Sequence, residues 1–337
     1  MKYIYDGRLG RGALLTGNLL FKRTGFMFGF LKRRIFPIGV DIGADELKIA
    51  QLRESSNKLV FVSGGAQTCP AGIEPGGSDW QRWAIDAMKK MVDEGKFVGK
   101  DVVAAIPAAD VFIENVRIQK TEGKKLDDVV IAKAKQKLPI EFDQAMVKYI
   151  PAEEDNYVII ATERQNINRH LAIYENAGLN IKSIGVWPIA LINSYTRFFG
   201  RRKADIQAVV MLLDICRNRT NIVICRHKNL LFARSIPIGS KNLDDNQMKN
   251  RLVMELTGAV QSFSLICKKV RLDRLVFISG NSVERDVCMN IARQLKLPAQ
   301  IGDCLSAVSI KYNDVDIERR NCQFSWAAAF GLSISMD

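Results

Sequence analysis

Two short stretches hold the residues best suited to chemistry in this chain. The first is Asp41-Ile42-Gly43-Ala44-Asp45-Glu46-Leu47-Lys48, and the second is Asp214-Ile215-Cys216-Arg217-Asn218-Arg219-Thr220. In an Asp-x-Gly turn between strands, the carboxylate can position a hydrated Mg²⁺ and the glycine lets backbone approach an anion. Exposed N–H groups donate, and a lysine neutralises charge. Asp41 and Asp214 are therefore the candidate magnesium residues, acting through water. Gly43, Lys48 and Thr220 are candidates for phosphate. Gly280 and Asn281 stand ahead of a late helix. Each has a plainer reading. Both aspartates are equally suited to accepting turn N–H groups, and Lys48 to a solvated strand face. Asn281 with Glu284 also fits an ordinary helix start. No Ser/His/Asp or Cys/His arrangement is legible, and no residue is assigned a catalytic role.

The same turns also carry residues that oppose a phosphate. Asp45 and Glu46 can only accept, and one carboxylate ~6 Å from a phosphate charge costs ~3 kcal/mol at an effective dielectric of ~20. Cys216 puts a Cβ where close backbone approach is wanted. Arg217 and Arg219 suit either a surface position or a compensating guanidinium fork on phosphate. The sequence thus predicts weak or vestigial nucleotide binding and slow hydrolysis at best.

With 337 residues and 47% hydrophobic content, the chain can bury a sizeable core and divide into two or more domains. The net charge is +13. That balance suits nucleic acid, anionic lipid or an acidic protein. The bases recur in small groups and no aromatic-interleaved motif appears, so no nucleic-acid partner is expected. The seven cysteines include no C-x-x-C pair, which argues against a zinc site and fits a reducing compartment. No apolar run reaches the ~18 residues of a membrane span.

Residues 1–34 are basic and interrupted by glycine. They read as a disordered leader, with Met27 as an alternative start, or as a membrane-surface arm anchored by Phe26, Phe28, Phe30 and Leu31. From Phe36 onward a three-strand meander, a helix near 79–94 and the strand Val102–Ile106 give the order βββαβ. That order returns in Gln207–Ile215, Thr220–Cys225 and Leu230–Ile236, followed by helices near 243–270 and 284–295 around the strand Arg274–Ser279. Between them, 109–184 reads as an inserted βαββαβ module. The expected fold is α/β, with two similar halves (35–108 continued by 185–205, and 206–321) around a cleft. A closing helix in 322–337 is expected to pack on the first half.

Two facing turns of this kind resemble the phosphate clamp of the actin/hexokinase/Hsp70 superfamily, and the resemblance implies a third element contacting the adenosine, for which Gly280 and Asn281 are the candidates. A closer resemblance follows from Phe28-Gly29-Phe30-Leu31-Lys32-Arg33, Ile38-Gly39-Val40-Asp41-Ile42-Gly43, Gln136-Lys137-Leu138-Pro139-Ile140, Ile236-Pro237-Ile238-Gly239 and Ala329-Phe330-Gly331-Leu332. In their order these are similar to the PilM family of actin-like type IV pilus assembly proteins. The resemblance implies duplicated actin-like (ribonuclease H-like) halves and ATP with Mg²⁺ as possible ligands. It implies a cytoplasmic scaffold at the inner face of the inner membrane. The implied partner is the N-terminal peptide of a PilN-like bitopic membrane protein, held in a groove involving the inserted module. The pilus motor, the inner-membrane platform and a second copy of the chain are further implied partners. The competing expectations are an active actin-like ATPase and a type II secretion platform component.

Overall fold

The computed structural model describes residues 2–3, 34–56, 58–118, 126–310 and 324–335. The chain starts with the two-residue strand β1 (Lys2–Tyr3). It then builds the meander β2 (Arg34–Ile42), β3 (Glu46–Ser55) and β4 (Lys58–Thr68), followed by α1 (Ser78–Glu94) and β5 (Asp101–Ile106). Next come β6 (Phe112–Arg117), α2 (Leu126–Lys137), β7 (Ala145–Pro151), β8 (Asn156–Glu163), α3 (Arg164–Asn176), β9 (Asn180–Val186), α4 (Trp187–Ser194) and α5 (Lys203–Gln207). The second meander is β10 (Val209–Ile215), β11 (Thr220–Arg226) and β12 (Asn229–Ile236). It leads into α6 (Asn246–Ile266), β13 (Arg274–Phe277), α7 (Arg285–Leu295), β14 (Ala299–Ile301) and α8 (Ala327–Ser333).

The duplication is visible in the sheets. One has the order β4-β3-β2-β5-β9 and the other β12-β11-β10-β13-β14. In each, an antiparallel meander is extended by two parallel strands. Both sheets are covered on both faces, so their central strands are almost continuously apolar rather than alternating. On the outer side of the first sheet, Ile38, Val40 and Ile42 pack with Trp80, Trp83 and Met88 of α1. The outer side of the second sheet packs Met211 and Leu213 against Leu252, Leu256 and Phe263 of α6. The inner faces share one core, in which α4 and α8 lie with Val103, Leu52, Val210 and Leu212.

The inserted block divides differently from its sequence reading. Its own sheet is β1-β7-β8-β6, closed on one side by α2. The last helix and strand of the expected βαββαβ unit belong elsewhere. β9 pairs in parallel with β5, and α3 delivers Ile173 and Tyr174 to the core beneath α1. Periodicity identified both elements but carries no information on which sheet a strand joins. The expected leader falls largely outside the described residues. Of its positions, Lys2–Tyr3 pair with Tyr149 and Lys148 on β7, and Arg34 begins β2. The closing helix α8 rests on β2, β3 and β5 of the first sheet.

Candidate functional site

Both chemistry-bearing turns lie where a meander reverses. Asp41 is one residue from the end of β2 and faces Lys48 of β3 across the ladder. Asp214 is one residue from the end of β10, opposite Asn221 of β11. The duplicated topology therefore puts equivalent carboxylates at equivalent strand ends.

In the first turn the side chains neutralise one another. Lys48, 3% exposed, holds Asp41 Oδ2 at 2.9 Å and Glu46 Oε2 at 3.6 Å. Burial pulls the Lys48 pKa down, but Asp41, Glu46 and Asp214 outweigh it and hold the ammonium well above its ordinary value. Burial raises the Glu46 carboxyl, with Lys48 opposing. Asp45 is likewise raised by burial, opposed by Lys241 and Arg217. The backbone is fastened as well: Gly43 N–H donates to Glu46 O at 2.7 Å, and Trp80 Nε1 donates to Ala44 O at 2.9 Å.

The second turn is equally committed. Asp214, 2% exposed, accepts from Ser325 Oγ at 2.5 Å and from the Cys216 thiol at 3.3 Å. Burial, reinforced by Asp214, pushes the Cys216 thiol well above its usual range. Thr220 Oγ donates to Ile238 O at 2.7 Å and is fully buried. Arg219 Nε donates to Ser235 Oγ at 2.9 Å, along the sheet. Arg217 reaches across to the other half and pairs with Asp45 at 3.5 Å.

Gly239 lets the chain after β12 pack directly against the backbone of the second turn. A Cβ there would lie 2.3 Å from Arg217 O and 2.5 Å from Arg219 N. Ser325 and Gly239 are the two site residues that turn-by-turn reading of the sequence missed. Gly239 had a signal in Pro237-Ile238-Gly239 just past a strand; Ser325 had none, being 111 residues from its partner. The expected N-cap at Asn281 is replaced by a single 3-10 turn, Gly280–Ser282, and Glu284 takes the cap position of α7. Gly280 has φ +65°, and a Cβ on it would sit 3.2 Å from Asp303 Oδ1. The structure thus gathers Asp41, Gly43, Lys48 and Asp214 around the two turns, and turns the Thr220 hydroxyl to the Ile238 carbonyl.

This donor set fits a magnesium-bound triphosphate poorly. Among the described residues the one buried ammonium, Lys48, is held by carboxylates, both Asp214 oxygens accept protein hydrogens, and Arg217 is drawn to Asp45. Among the described residues, no group of three or more metal-ligating side chains converges.

Over residues 39–251 the sequence matches the family of type IV pilus assembly protein PilM. The chain belongs to that family. Among solved structures it is similar to one described as the PilM-PilN type IV pilus biogenesis complex. The identity is 17%, over 90% of this chain and 98% of that one, with a TM-score of 0.72. Looser likenesses include the ethanolamine utilization protein EutJ from Carboxydothermus hydrogenoformans, at 12% identity over 90% of each chain and a TM-score of 0.47. Another is the cytoplasmic domain of EpsL from the type II secretion system of Vibrio cholerae, at 8% identity over 85% of this chain and 88% of that one, with a TM-score of 0.41. The fold is the duplicated actin-like α/β fold expected from the sequence, carried by the PilM likeness and the two equivalent sheets. Among the described residues of this PilM-family chain, no helix is long and apolar enough to cross a membrane.

Proposed function

We propose that this PilM-family chain is a cytoplasmic docking scaffold of a type IV pilus machine, set against the inner face of the inner membrane. In this reading it takes the N-terminal cytosolic peptide of a PilN-like bitopic protein and so links the pilus motor to the membrane platform. The observation that carries the reading is an apolar groove of about 500 Å³ between the inserted module and the first half. Met146 and Ile160 line it from the module, Ile167 from α3, Ile184 to Val186 from β9, and Ile189 from α4. β9 is the edge strand of its sheet. An extended peptide can therefore use its backbone groups on that edge and place alternate side chains in the groove. The partner class is supported by the PilM-PilN complex that the chain resembles.

Nucleotide binding is weak or vestigial in this reading. The support is that Lys48 and Arg217 are held by carboxylates of the turns themselves and that both Asp214 oxygens accept protein hydrogens, so Arg219 is the one turn cation without a carboxylate partner among the described residues.

The test is calorimetric titration of the full chain with the N-terminal peptide of its co-encoded bitopic protein. Gly185 offers a clean block, because a Cβ there meets only Ala104 O at 3.8 Å. Gly185→Leu fills the groove and should weaken the peptide at least ~10-fold, with the melting temperature held. Equal affinity for the two proteins would move the peptide to another surface.

A further inference from the structure

The end of the second sheet remote from the clamp turns collects bases from separate stretches of chain. Asp273, just ahead of β13, accepts from the Val209 N–H that opens β10, at 2.7 Å. Arg274 pairs with Asp205 of α5 at 2.7 Å, fastening that segment to the same place. β11 ends at Arg226, opposite Val209, so the turn into β12 lies here too. α6 also finishes here, since its chain runs directly on into β13.

This end therefore presents Arg201 and Arg202 ahead of α5, Lys203 opening it, and Lys268, Lys269 and Arg271 between α6 and β13. All six are exposed. None of their side chains has an ion-pair partner among the described residues. The acids beside them are already engaged. Asp205 is held by Arg274, Glu153 by Arg226 at 3.1 Å, and Glu154 accepts from the Lys269 N–H at 2.8 Å. Glu154, Asp273 and Asp155 keep their negative charges, so six exposed bases here stand against three acids without an ion-pair partner among the described residues.

A second, independent feature coincides with the bases. Leu265, in the last turn of α6, is 73% exposed, and Ile206 of α5 is 39% exposed. Large apolar side chains standing among unpaired bases suit a layer that is anionic outside and apolar just beneath. A nucleic-acid backbone would satisfy the bases but gives the leucine and isoleucine nothing to enter.

We propose that this end of the second half is a docking face for anionic phospholipid headgroups, with Leu265 and Ile206 entering the headgroup layer. The proposal goes beyond the scaffold reading and does not depend on the peptide groove. Each base near such a surface strengthens binding by about fivefold.

The full chain is mixed with vesicles of phosphatidylcholine alone, or containing ~30% phosphatidylglycerol, and binding is read by co-sedimentation. Binding should require the anionic lipid and fall away towards ~0.3 M salt. The combined Lys268→Gln, Lys269→Gln and Arg271→Gln variant should bind ~100-fold more weakly, and Leu265→Ser roughly tenfold. Both should melt with the wild type, because the residues are exposed. Wild-type binding by these two variants would overturn the proposal. So would a Lys22→Gln, Lys32→Gln, Arg33→Gln variant that carries the whole loss. A preference for random duplex DNA over anionic vesicles at equal salt would make the face a nucleic-acid surface instead.

Discussion

Replacing Lys48 by Met leaves Asp41 and Glu46 facing each other, with Asp214 nearby, and no buried cation between them. Breaking a buried pair costs about 3–5 kcal/mol because a charge is stranded. Lys48→Met should therefore lower unfolding stability by that amount in urea titration. Glu46 behaves in the opposite sense. Burial raises its carboxyl above the ordinary value of 4.5, so the folded chain keeps this proton to higher pH than the unfolded chain. Its contribution to stability therefore falls as pH climbs from the ordinary carboxylate range through the folded value. Glu46→Gln removes that fall. Its melting temperature relative to wild type should rise as pH climbs above the ordinary carboxylate range, as read by calorimetry. A flat difference would show that burial does not raise this carboxyl. Arg217 matters less to stability, because its pair with Asp45 is half in water.

The element that depends most on its neighbours is α8, a seven-residue helix buried on all sides. Such a helix has too little length to persist alone and depends on tertiary packing. Two glycines make that packing possible. A Cβ at Gly39 of β2 would lie 1.9 Å from Ala329 O, and one at Gly331 would lie 1.8 Å from Ala190 O of α4. Ser333 Oγ adds a 2.8 Å bond to Pro37 O, where the β2–β3 register shifts. Gly39→Ala should thus expel α8 from its seat and cost at least ~3 kcal/mol, with the loss visible as earlier protease cleavage after Trp326. Wild-type resistance would mean that the helix is held mainly by its apolar side chains.

At the scale of the molecule, the sequence carried the duplicated meanders because doubly covered strands write themselves as mostly apolar runs. Val209 to Leu213 is unbroken, and Leu47 to Leu52 is interrupted by Lys48 and Gln51. It also carried the two Asp-bearing turns, whose residue types are local. It could not carry the destination of β9, since pairing with β5 across an inserted module leaves no trace in period or spacing. Nor could it carry the partners of Asp214 and Lys48, where one contact joins residues 111 apart and another is decided by burial. The notion of a degraded clamp came from missing glycines and added carboxylates. The structure adds that Lys48 is held by Asp41 and Glu46 and that Arg217 pairs with Asp45.

The central claim is a peptide-docking scaffold whose clamp no longer responds to nucleotide. The most direct test is the dissociation constant of the partner's N-terminal peptide for the full chain, measured with and without ~5 mM Mg-ATP. A ligand present at 100 times its Kd adds ~2.7 kcal/mol to the state it prefers, so real nucleotide coupling would be visible. We predict one and the same peptide affinity in both solutions, lost in Gly185→Leu. A shift of fivefold or more with Mg-ATP, abolished by Asp41→Ala, would show a working clamp and contradict the account.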